Sequence, residues 1–149
     1  MTVEQNHSFR IDEQGNWYHN DTPIQREALV KLFADKGLKR DEAGQYWMQS
    51  PFEKYPVEVE DVPFVIVDFE ERGGDIVLIS NMGDEVTIGQ QSPLELRHNA
   101  KHAMKLPYIE MRGGLYARLG RSVYYALIEK FGPVLKSGGR DYPLGEMDA

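Results

Sequence analysis

Arg112, Arg118 and Arg121 place three guanidinium groups within ten residues of a chain whose formal net charge is −7. Such forks bind phosphate or carboxylate in two-pronged fashion, and a nearby aromatic ring can stack on a base. Read as part of one helix, Arg118, Arg121 and Tyr125 lie three and four apart on the face opposite the apolar residues. Arg112 then just precedes that helix, whose free N–H groups favour an anion. The competing reading is ion pairing, because Asp and Glu number 24 against 17 Lys and Arg.

Other chemistries find less in the residue pattern. His98 and His102 are spaced i, i+4, but no acid completes the metalloprotease pattern and the segment has poor helical periodicity, so loop histidines are expected. His19 can serve as a packing or capping residue or, less favourably, as a general base beside a carboxylate in a weak hydrolase. Ser50 and Ser137 lack the Gly-x-Ser-x-Gly context of a nucleophile elbow. "GGLYARLGR" and "GGDIVLIS" lack the Lys and Ser/Thr that end a phosphate loop. The chain has no cysteine, which excludes disulfides, thiolate metal sites and cysteine nucleophiles. No catalytic residue, metal or certain cofactor is therefore expected. The acidic balance argues against nonspecific nucleic-acid binding. No stretch has the roughly 20 apolar residues of a membrane span and the start lacks signal-peptide regions, so a soluble cytoplasmic protein is expected.

The elements that must position these residues are legible in part. "FRIDEQGNWYH" alternates around Gly15 and reads as a hairpin. Thr22, Pro23 and Gln25 read as the start of a helix over 23–36, with Ile24, Ala28, Leu29, Leu32 and Phe33 on one face and Gly37 at its end. "GQYWMQSP" reads as a strand, and residues 64–70 as a buried strand. "DIVLIS", "EVTIG", "SPLELRH" and "LPYIEMR" continue as short strands, with "NAKHAMK" a loop. A second helix then carries Leu115, Leu119, Val123, Ala126, Leu127 and Phe131, and ends at Gly132 and Pro133. A last short hairpin closes an α+β chain. The expected division is 1–55, a hairpin–helix–strand domain, and 56–149, an antiparallel meander plus helix. Trp17, Tyr18, Tyr46 and Trp47 flank the first helix and are read as packing ahead of ligand stacking.

The chain also repeats itself. With an offset of 98 residues, Ile11, Gly15, Tyr18, Ala28, Leu29 and Phe33 fall on Ile109, Gly113, Tyr116, Ala126, Leu127 and Phe131. Two amphipathic helices share some residues by chance, but the Gly and Tyr matches lie outside the helices.

The segments "IDEQGNWYHNDTPIQREALVKLF", "SPFEKYPVEVEDVPF", "SNMGDEV", "PYIEMRGGLYARLGRSVYYAL" and "SGGRDYPLG" together resemble domain-of-unknown-function family 1285, over about residues 9–145. The resemblance implies two related halves with a duplicated core, the C-terminal half superficially like a pleckstrin-homology domain. It implies an inter-domain cleft for a nucleotide-like ligand and a role in signalling. Carried over by motif, the polar candidates are His19, Arg26, Glu53, Asp61, Asn81, Arg112, Arg118 and Arg121. Ser92 stands where similar proteins usually have histidine, which puts ligand contact there in doubt. The expectation is a noncatalytic ligand-binding or signalling module in which the arginines take an anionic group and Trp17 or Tyr18 a ring. The alternative is a protein–protein adaptor that docks a signalling partner and binds no small molecule.

Overall fold

The computed structural model describes residues 2–3 and 8–145. The chain forms two compact units, Met1–Pro63 with Gly113–Leu115, and Phe64–Arg112 with Tyr116–Ala149. In the first unit the strands are β1 (Thr2–Val3), β2 (Phe9–Ile11), β3 (Trp17–His19), β4 (Thr22–Pro23), β5 (Leu38–Arg40), β6 (Tyr46–Gln49) and β7 (Glu53–Val59). One helix, α1 (Glu27–Leu32), runs into a π-helical turn at Phe33–Gly37. The second unit holds β8 (Phe64–Arg72), β9 (Asp75–Ser80), β10 (Glu85–Thr87), β11 (Glu95–Asn99), β12 (Met104–Arg112), β13 (Leu115–Leu119) from Tyr116 on, α2 (Arg121–Phe131), β14 (Val134–Ser137) and β15 (Arg140–Pro143). The fold is α+β, as the alternating patterns imply. The expected division between residues 55 and 56 falls inside β7, the strand that pairs with β1, β2 and β6, so the first unit runs on to Pro63.

Both large sheets follow one plan. The first has the order β4-β3-β2-β7-β6-β5, with β1 beside β7, and the second β10-β9-β8-β13-β12-β11. Each is two three-stranded meanders joined through their first and last strands, which pair in parallel. Phe9 faces Val57 and Ile11 faces Val59 in the first. Phe64 faces Ala117 and Ile66 faces Leu119 in the second. The core is thus duplicated, with Phe9 equivalent to Phe64 and Val57 to Ala117. The 98-residue repeat matches something more local. It aligns β2, β3 and α1 with β12, β13 and α2, in both cases a hairpin followed by a helix. The central strand differs, being the first of the hairpin (β2) in one sheet and the second (β13) in the other.

Two sequence expectations for the helices are corrected. Thr22 and Pro23 pair with His19 and Tyr18 as β4, so no capping box forms. The helix begins after Arg26, which makes no side-chain cap. A hydrogen-bonded third strand here outcompetes a capped turn, because Pro23 lies at the sheet edge, where no partner needs its missing N–H. The second correction concerns Leu115–Leu119, which is β13 and not the first turns of a helix. Leu115, Ala117 and Leu119 are buried at a spacing of two, the period of a strand. α2 starts only after Gly120, buries Val123 and Leu127, and stops at Gly132, whose positive φ suits a glycine.

In the first unit the core sits on one side of the sheet, whereas in the second the consecutive buried residues Phe64–Ile66 and Ile76–Leu78 show that both sides are covered at its centre. Ile11, Trp17 and Leu38 are fully buried in the first unit, and Ile66, Leu78, Ile109 and Leu127 in the second. Each such side chain stabilises the fold by about 1.5–3 kcal/mol. In the second unit the buried Ser137 Oγ accepts the Ile76 N–H at 2.9 Å and donates to the Ile88 carbonyl at 2.7 Å, fastening β14 to the sheet.

Candidate functional site

Alternation along β2 and β3 sends Phe9, Ile11, Trp17 and His19 to the core side and Arg10 and Tyr18 to the other. On the core side Trp17 is 2% exposed and lies beside Phe33. His19 stacks on Phe9 with ring centroids 4.9 Å apart, and Tyr55 and Phe33 pack on the same phenyl ring. His19 is therefore held by aromatic packing. Trp17 and Tyr18, expected as alternatives for one ligand ring, face opposite sides of the sheet, and only Tyr18 is on the solvent side.

The remaining candidates are dispersed within each unit. Arg26 is exposed ahead of α1, and Asp61 is half-buried in the segment after β7. Glu53 accepts a hydrogen bond from the Tyr55 hydroxyl. In the second unit Asn81 is a structural clip: its N–H donates to the Val65 carbonyl at 2.8 Å and its Oδ1 accepts the Val65 N–H at 3.2 Å. Arg112 ends β12, with its guanidinium 5.8 Å from the Phe64 ring centroid. Arg118 lies on β13 and is 7% exposed, whereas Arg121 opens α2 at the surface, beside the Tyr125 ring. The shared helical face of Arg118, Arg121 and Tyr125 does not exist, since Arg118 belongs to a strand. Among the described residues no group of three His, Cys, Asp or Glu could hold a metal ion, and no helix is long and apolar enough to cross a membrane.

What the structure does assemble is a second, shorter repeat. Residues 9–18, "FRIDEQGNWY", and 38–47, "LKRDEAGQYW", align without a gap. They form two hairpins with the same turn. Asp12 Oδ1 accepts the N–H groups of Gln14 and Asn16, both at 2.9 Å. Asp41 Oδ1 accepts those of Ala43 and Gln45, at 3.0 and 2.9 Å. The second carboxylate oxygen of each reaches an aromatic donor, Tyr18 OH at 3.0 Å and Trp47 Nε1–H at 2.9 Å. Gly15 and Gly44 supply the left-handed position, with φ of 84° and 88°.

The rings fixed in this way face solvent in register. Arg10 pairs with Tyr18 and Tyr18 with Pro23; Lys39 pairs with Trp47 and Trp47 with Pro56. A cation, an aromatic ring and a proline therefore run across three strands, twice over. The Arg10 guanidinium lies 4.0 Å from the Tyr18 ring centroid and 3.3 Å from Glu60. Lys54 Nζ lies 4.1 Å from the Trp47 ring centroid. Between the rows opens a groove of about 470 Å³ whose polar lining includes Arg10, Asp21, Gln45 and Glu58. Arg10 and Trp47 did not stand out as ligand contacts in the sequence, although the shared Asp-Glu-x-Gly spacing, 29 residues apart, was a readable signal.

Both turn carboxyls are held below the usual carboxylate range. For Asp12, burial opposes ionisation but is outweighed by hydrogen bonds from Asn16, Tyr18 and Gln14. For Asp41 the main cause is the Trp47 N–H, helped by the Gln45 amide. The Asp12 bond in turn raises the Tyr18 phenol. With folded-state values below the unfolded value of about 3.9, both carboxylates stabilise the fold at neutral pH, and this contribution is lost as pH falls from about 5 through the folded values. The midpoint of thermal unfolding is expected to drop over pH 5 to 3. Asp41→Asn should start lower at pH 7 and converge on the wild type in acid. Midpoints that stay equally far apart at every pH would assign Asp41 no such role.

The comparisons with known proteins act on the whole chain. The model described as "Domain of unknown function (DUF1285), N-terminal domain" matches residues 2–62, and that for the DUF1285 C-terminal domain matches residues 63–144. The chain belongs to the DUF1285 family. A solved DUF1285 protein from Silicibacter pomeroyi DSS-3 is 29% identical, covers 97% of this chain and 82% of its own, and superposes with a TM-score of 0.83. A DUF1285 protein from Shewanella baltica OS155 is 26% identical over 83% of this chain and 91% of its own, with a TM-score of 0.62. No curated protein matches. The two DUF1285 models meet at residues 62 and 63, one residue before the compact units divide between Pro63 and Phe64.

Proposed function

We propose that this chain is a noncatalytic binding module and that the solvent-facing side of its first sheet is the docking surface. The supporting observation is the duplicated row of cation, aromatic ring and proline, Arg10–Tyr18–Pro23 and Lys39–Trp47–Pro56, beside an open groove. Rings pinned by Asp12 and Asp41 lose little freedom on binding, and aromatic residues with Arg are the usual anchors of protein interfaces. The role this supports is the adaptor, in which a partner protein lays a segment on the sheet.

Selection of random dodecapeptides on the full chain, repeated on Trp47→Ala and Glu58→Lys, tests the reading. Peptides that bind wild type and lose about tenfold or more on either variant support it. Peptides that bind both variants as well as wild type would move the docking surface elsewhere.

A nucleotide-like ligand is the second reading, favoured by Arg10 in the groove wall. Its phosphate would meet the carboxylates of Asp21 and Glu58 there, which weighs against it. Thermal unfolding with nucleotides at millimolar concentration separates the two. A ligand at 100 times its dissociation constant adds about 2.7 kcal/mol, which is easily seen. A flat panel leaves the adaptor.

A further inference from the structure

The charges of the groove carry the adaptor reading further, and the kind of occupant they select rests on that reading. Arg10 is already neutralised by Glu60 and lies over Tyr18. Asp21 and Glu58 are exposed and, among the described residues, form no ion pair. The uncompensated charge of the groove is therefore negative, and the chain as a whole carries −7. Beside it stand two ridges, Tyr18 with Pro23 and Trp47 with Pro56. Ridges of aromatic rings and prolines have gaps that fit the flat pyrrolidine rings of a polyproline II helix, which binds with little loss of entropy. β3 and β6 are three strand spacings apart, roughly 14 Å, which four or five residues of polyproline II at 3.1 Å each bridge.

We infer that the occupant of this face is an extended, proline-containing segment of a partner protein that carries a basic residue. Its basic side chain enters the groove at Asp21 and Glu58, and its prolines lie on the Tyr18–Pro23 and Trp47–Pro56 ridges. Lys39 and Lys54 at the far end repel a second basic group and set the direction in which the segment lies.

The probe is a fluorescein-labelled dodecapeptide with one arginine and two prolines four residues apart, titrated by anisotropy against the full chain. Two control peptides have both prolines changed to alanine, or the arginine changed to glutamate. The parent is expected to bind about tenfold or more tightly than either control, and Glu58→Lys and Trp47→Ala should each remove most of that advantage. Glu58→Lys changes an exposed charge, so its effect is separable from folding; circular dichroism monitors Trp47→Ala. Equal binding of parent and controls overturns the inference. The adaptor reading then still stands if the selected dodecapeptides depend on Trp47 or Glu58, and falls with it if they do not.

Discussion

Gly120→Ala is expected to be the most damaging small substitution in the second unit. A Cβ built at this position lies 2.6 Å from the Ile66 carbonyl oxygen and 3.2 Å from Val65 Cγ1. Neither neighbour is a free side-chain end; the first is backbone of the strand paired in parallel with β13, and Gly120 N–H donates to that same oxygen at 2.9 Å. The glycine is required by space and not by conformation, since its φ of −66° and ψ of 158° suit any residue. Relief means prising β13 from β8 or shifting the start of α2, with loss of the hydrogen bond. Overpacking of this kind costs about 3 kcal/mol, which lowers the unfolding midpoint by roughly 6 to 12 °C. Thermal unfolding by circular dichroism measures it. An unchanged midpoint would mean that the strand–helix junction gives way freely. Gly37→Ala is the useful contrast. Its Cβ meets Met48 Sδ at 2.3 Å, but that is the mobile end of a flexible chain and can swing aside, so the loss should be smaller.

Trp17→Ala separates core from ligand contact for a residue that the sequence offered as either. With the indole 2% exposed and packed on Phe33, its removal is expected to destabilise the first unit by about 3–5 kcal/mol. Trp17→Phe should be far milder. The indole N–H is buried with no hydrogen-bond partner among the described residues, so deleting it removes a desolvation penalty of about 1–3 kcal/mol that offsets the lost volume. Denaturant unfolding of both variants gives the comparison. A Trp17→Ala protein as stable as wild type would take the indole out of the core.

The two substitutions show how differently the sequence speaks about neighbouring positions. The hairpin around Gly15, the strand from Phe64, the meander through "DIVLIS" and the end of α2 at Gly132 were readable, because turn glycines and alternating apolar residues act within a few residues of themselves. Trp17 and Tyr18 are adjacent and equally aromatic. Which of them faces the core depends on the register of β2 against β3 and β7, the latter a pairing across 48 residues that local pattern does not contain. Arg118 falls on a strand and not a helix for a related reason. Leu115, Leu119 and Val123 are spaced by four and fit a helical stripe, while Leu115, Ala117 and Leu119 are spaced by two and fit a strand. Pairing with β8 selected the strand.

By itself the sequence determined the α+β class, most hairpin turns, the family resemblance and the existence of a repeat, since each rests on local turn chemistry or on motifs read in order. The tertiary structure alone decided that the first and last strands of each sheet pair in parallel, that β4 replaces a helix start, and that Arg10, Tyr18, Lys39 and Trp47 share one solvent-facing side. A strand presents its side chains alternately to two faces, and only pairing with strands distant in the chain settles which face is buried.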